Sequence, residues 1–144
     1  KLPPFLAIKP GIESGYMSAQ VTASALVSEN KTLAHPASVD SLPTSGGQED
    51  LVSMAPWAGL KLLQIQENVR QILAIELLVA SAACTLFHQG CKSGKGTTPI
   101  LKHIQGVVPF HKGDRVLSGE IRALSDMIKT GQINALANQV VNLK

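Results

Sequence analysis

The residues best placed to do chemistry are Gln48, Glu49 and Asp50, which directly follow the run Ser-Val-Asp-Ser-Leu-Pro-Thr-Ser-Gly-Gly. An amide and two carboxylates in succession can accept hydrogen bonds or move a proton. The same three residues lead into an apolar helical stretch, and carboxylates in a first helical turn favour the positive end of the helix dipole. Taken alone, capping is the simpler account of them.

Other candidate chemistry falls away on spacing. The run Gly90-Cys91-Lys92-Ser93-Gly94-Lys95-Gly96 suggests a phosphate-binding loop. That motif needs four residues between its glycines, a Ser or Thr after the Lys, and a preceding strand. Here three residues intervene, Gly96 follows Lys95, and the pattern upstream is helical. His35, His88, His103 and His111 show no metal-ligand spacing. Ser, His and Asp are all present, but no nucleophile-elbow sequence frames them.

The elements that must position these residues read as helices. Residues 1–12 contain three prolines and Gly11 and predict an extended or looped entry. A helix fits residues 14–33, with Met17, Val21 and Ala25 at helical spacing, and Pro36 ends it. Residues 35–48, rich in Pro, Ser, Thr and Gly, predict a long irregular connection, a kind of segment that is often functional. The longest helical pattern covers residues 49–87, with Pro56 as a kink or restart. Its seam is Leu62, Ile65, Val69, Ile72, Glu76, Val79, Ala83 and Leu86, apolar at every place but Glu76. Glu76 reads as an acid paired with a cation from a neighbouring helix, or as a buried acid. Shorter helices fit 99–107, 117–129 and 133–141, with Gly131 as a C-terminal cap. No alternating strand pattern appears, so the fold class is all-α, a bundle of long helices.

Composition limits the function classes. Hydrophobic residues are 44% and charged residues 16%, too apolar for a disordered tail. The net charge is +3 without a Lys/Arg run, so no nucleic-acid partner is expected. The most apolar stretch, residues 72–87, is shorter than the ~20 residues a membrane span needs and contains Glu76. No membrane partner is expected either. Cys84 and Cys91 read as reduced thiols in a cytoplasmic protein. The chain opens on Lys1 without a Met and reads as the middle of a longer protein.

Several runs, in order and spacing, resemble the histidine ammonia-lyases. They are S-G-Y-M (residues 14–17), S-E-N-K (28–31), A-H-P-A-S-V-D-S-L-P-T-S (34–45), Q-E-D (48–50) and V-S-M (52–54). L-A-I-E (73–76) is similar to the family's long helix. The resemblance is dense over residues 1–80 and faint from about residue 89, dividing the chain into a core segment, 1–88, with its loop 35–50, and a variable segment, 89–144. Relatives acting on phenylalanine or tyrosine carry Asn-Gln-Asp where this chain has Gly47-Gln48-Glu49, so Glu49 points to the histidine branch. Gly47 stands where Asn is frequent, and Tyr16 where Leu or Phe is usual.

The resemblance implies the C-terminal part of an enzyme that eliminates ammonia from L-histidine to give trans-urocanate. It implies a homotetramer around a central helical bundle, with sites built from several subunits. Glu49 matches the family's active-site Glu near the substrate imidazole, Met17 matches a Met on the ring side of the pocket, and Gln48 is a further substrate-binding candidate. The family's electrophile, methylidene-imidazolone, forms from an internal Ala-Ser-Gly, which occurs nowhere in this chain. The chain alone is therefore expected to be inactive. The alternatives are a non-catalytic helical oligomerisation module, or a lyase or aminomutase for another aromatic amino acid.

Overall fold

A computed structural model describes residues 2–87 and 93–139, and His88 and Cys91 lie outside them. Among the described residues five α-helices follow in order: α1 (Met17–Leu33), α2 (Ala55–Phe87), α3 (Thr97–Val107), α4 (Ser118–Lys129) and α5 (Gln132–Asn138). Short 3-10 turns at Pro4–Leu6, Ala37–Val39 and Ser45–Gly47 punctuate the connections. Among the described residues there is no strand, only two isolated bridges.

The long helix is shorter at its start than its pattern predicts. It begins at Ala55, six positions after Glu49, with Pro56 in its first turn. Proline lacks an amide donor and collides with the carbonyl four residues earlier, so it starts a helix more readily than it continues one. Upstream, the amide and carbonyl of Glu49 are both engaged by Thr44, which leaves neither for a helix. The capping reading of Glu49 is thereby corrected, because the first turn of α2 contains no acidic residue.

The face that α2 buries also differs from the expected seam. Asn68, Ala74, Ile75, Leu78, Ser81 and Ala82 are buried against the rest of the chain. Leu62 and Val69, by contrast, are 54% and 42% exposed. Glu76 is exposed and has no cation partner among the described residues. One residue along a helix is a rotation of about 100°, so positions 75, 78 and 82 lie on a different face from 76, 79 and 83. The expected seam is therefore covered only in part: Val79 and Ala83 pack at the edge of the core, whereas Leu62 and Val69 stay exposed. By length and composition α2 is also apolar enough to cross a membrane, contrary to the expectation from residues 72–87 alone.

One core joins the ends of the chain. Leu6, Tyr16 and Ala19 pack with Ala74, Ile75, Leu78 and Ala82 and with Ile104, Leu117, Leu124 and Met127. Polar groups set the register of α1 on α2. Buried Asn68 donates through Nδ2 to Glu29 Oε2 (3.0 Å) and Asn30 Oδ1 (2.9 Å), and Gln64 Nε2 donates to Glu29 Oε1 (2.8 Å). Gly131, at φ 74°, closes α4 as its position predicts and opens α5. The expected last helix, 133–141, is observed to residue 138, with 140 and 141 outside the described residues.

Gly15 is the tightest backbone position. It sits at φ +57°, and a Cβ added there would lie 2.5 Å from the carbonyl oxygen of Phe5. Gly15→Ala combines a left-handed backbone with a clash against main chain. It is expected to lower stability by roughly 2 kcal/mol or more, read as a shift of the denaturation midpoint. An unchanged midpoint would contradict this packing.

Candidate active-site turn and pocket wall

Glu49 stands on a tight turn that its own loop builds. Thr44 N donates to Glu49 O (3.0 Å), Glu49 N donates to Thr44 O (3.4 Å), and Thr44 Oγ1 donates to Glu49 Oε2 (3.1 Å). Between them Ser45, Gly46 and Gly47 all have positive φ, at 56°, 65° and 85°. Glycine adopts that region freely, and Asn tolerates it better than most residues. Gly47 therefore meets this backbone demand without strain. Ser45 has no such freedom, and strain of this kind clusters at functional sites.

The base of the loop is clasped by Ser41. Its Oγ donates to Asp50 O (3.3 Å) and accepts from Val52 N (3.0 Å). Lys61 Nζ of α2 donates to His35 O, anchoring the entry to the loop. Glu49 is thus an exposed carboxylate on a fixed turn, with one side-chain bond among the described residues. Gln48 precedes it, also exposed, and makes no side-chain hydrogen bond among the described residues.

Met17 lies elsewhere. It is the first residue of α1, 40% exposed, on the wall of a cavity of about 310 Å³ with Pro4, Phe5, Ala7 and Ile12. Phe5 and Leu6 hold φ values of 53° and 55°, uncommon for bulky side chains. Seventeen residues of helix, roughly 25 Å at 1.5 Å per residue, separate Met17 from the entry to the loop. Glu49 does not line the cavity that Met17 lines.

Residues 1–106 match the family of aromatic amino acid lyases. The chain belongs to that family. A histidine ammonia-lyase of Shewanella oneidensis is 48% identical over 94% of this chain and 26% of the relative. One from Desulfotalea psychrophila is 49% identical over 96% of this chain and 27% of the relative. The chain thus spans about a quarter of the length of the curated relatives it matches. Among solved structures, the histidine ammonia-lyase from Trypanosoma cruzi superposes with a TM-score of 0.90 at 37% identity, over 97% of this chain and 27% of that one. The tyrosine aminomutase from Streptomyces globisporus gives 0.87 at 29% identity, over 99% and 27%. The likeness to the lyases therefore runs well past residue 89, where the quoted motifs fade.

Sequence reasoning missed three features of this lyase-family chain. The strain at Phe5, Leu6 and Ser45 carries no signal in residue type. The Glu29–Asn68 cluster was visible only as a family run, without its partner. Asp114 and Arg115, described below, left no local signal.

Proposed function

We propose that this chain is the C-terminal part of a histidine ammonia-lyase, in which Glu49 faces the imidazole of L-histidine. The reading is carried by one observation: Glu49 is an exposed carboxylate on a strained, hydrogen-bonded turn, not a helix cap. Elimination removes a proton from the carbon bearing the ring and ammonia from the neighbouring carbon, leaving trans-urocanate. A carboxylate beside the ring can accept a hydrogen bond from an imidazole N–H or exchange a proton with it. Met17 of a second copy of the chain supports the apolar side of the ring, since within one chain a 17-residue helix separates it from the loop, and Gln48 offers an amide to the polar network around it.

The family's electrophile, methylidene-imidazolone, would activate the amino group for departure, and the Ala-Ser-Gly run that forms it does not occur in this chain. It must come from another stretch of the whole enzyme. A lyase or aminomutase for phenylalanine or tyrosine fits less well, because Gly47-Gln48-Glu49 departs from the Asn-Gln-Asp those enzymes carry. A cytoplasmic setting is proposed with the rest. Consumption of the amino acid by the whole enzyme, assayed separately with L-histidine, L-phenylalanine and L-tyrosine and with urocanate followed as the product from histidine, tests the proposal. Turnover of histidine alone is expected. Preference for either other amino acid, or no turnover at all, would overturn it in favour of the aminomutase-like or the non-catalytic reading.

Self-association is part of the same proposal. Trp57, Leu60, Leu62 and Leu63 on α2, with Leu42 and Leu51 on the loop, are each more than half exposed. Apolar surface of this extent marks an interface, and other copies of the chain would cover it as a tetramer in the whole enzyme. Light scattering is expected to give a mass of several chains. A concentration-independent monomer would contradict it.

A further inference from the structure

The residues just before Met17 are held from the far end of the chain. Ser14 N donates to Asp114 Oδ2 (2.9 Å) and Gly15 N to Asp114 Oδ1 (2.8 Å), across 100 and 99 positions. Gly15 is in the left-handed region, and neighbouring amides in such a turn can converge on a single anion. The next residue on each side continues the grip. Arg115 Nη2 donates to the hydroxyl of Tyr16 (3.1 Å), and its guanidinium carbon lies 5.5 Å from the ring centroid. Glu120, on α4, fixes that guanidinium by accepting from Nε (2.7 Å) and Nη2 (2.9 Å), and His111 O accepts from Nη1 (3.3 Å). The bond to Glu120, above all, holds the Arg115 pKa above its usual value, so the residue is always charged.

Residues 14, 15 and 16 are therefore each fastened by residue 114 or 115, and Met17 follows with no such bond of its own. Both fastening residues lie beyond residue 106, where the family match ends. Tyr16 supplies a hydroxyl that the usual Leu or Phe lacks, and Arg115 is what uses it.

We propose that Asp114 and Arg115 are positioning residues that set where Met17 stands in the substrate pocket, and so tune the fit of the ring. The inference rests on the reading of Met17 as a pocket wall given under Proposed function. Charge-assisted bonds to backbone amides are stronger than neutral ones and fix direction as well as distance. A misplaced apolar wall weakens ring binding by roughly tenfold or more, the scale of one lost hydrophobic contact. Because Met17 touches the ring in ground and transition states alike, the effect falls on KM.

The test uses the whole enzyme. Asp114→Asn keeps the shape and loses the charge, and is expected to raise KM for L-histidine roughly tenfold with kcat within about threefold. Arg115→Lys keeps charge but loses the fork to Glu120, and is expected to move KM the same way. Repeating Asp114→Asn in a Met17→Ala background should leave less than about a twofold change, since neighbours that act through one another are not additive. Hydrogen exchange at Ser14 and Gly15 should speed up in Asp114→Asn. An unchanged KM, an equal rise without Met17, or unchanged exchange would overturn the inference while wild-type turnover of histidine stood. Wild type without that turnover would instead overturn the function, and this inference with it.

Discussion

Assayed alone with L-histidine, the 144-residue chain is expected to form urocanate at background rate. The sequence holds no Ala-Ser-Gly, so the electrophile proposed to activate the amino group cannot form within it. Glu49 can still hold or move a proton, but general acid–base assistance contributes about 10²–10⁴-fold. Enzymes reach accelerations of about 10⁶-fold and beyond, so Glu49 alone leaves any rate too small to see. Ultraviolet absorbance of urocanate is the readout. A clear rate from the pure chain would show that the chemistry has another source.

Glu49→Gln in the whole enzyme is expected to lower turnover by about 100-fold or more while the melting temperature hardly moves. The structure explains why these effects separate. Glu49 is exposed, and its one side-chain bond, accepted from Thr44 Oγ1, passes unchanged to the amide oxygen of Gln. Both backbone bonds to Thr44 also remain. A capping residue would behave in the opposite way, losing roughly 0.5–2 kcal/mol of stability with chemistry intact. Asp50→Asn is the control. Asp50 engages the loop only through its carbonyl, which Ser41 Oγ bonds, so turnover should stay within about twofold of wild type. Near-normal turnover in Glu49→Gln would remove this residue from the site.

Helix positions were legible because apolar side chains repeat at three and four residues and prolines punctuate them. The start of α2 was not, since nothing local announces that Thr44 takes both backbone groups of Glu49. Its buried face was hidden for a different reason. Two adjacent faces are apolar, and the sequence does not say which one the rest of the chain buries. The loop was plain from its Pro, Ser and Gly content, but its positive φ at Ser45 follows from closure of the Thr44–Glu49 turn, not from serine. Glu49 was singled out only through family resemblance, as the residues alone favoured a cap. Asp114 and Arg115 show the limit of local reading: their partners lie about a hundred positions away, and an Asp-Arg pair after a glycine looks like any surface turn.

A crystal structure of the whole enzyme with bound urocanate tests most directly whether the 44–49 turn serves the imidazole. The expected result is a carboxylate oxygen of Glu49 within about 2.6–3.2 Å of a ring nitrogen, with Thr44 still bonded to Glu49 and Met17 against the ring. A Glu49 carboxylate facing solvent, away from an imidazole bound elsewhere, would contradict it.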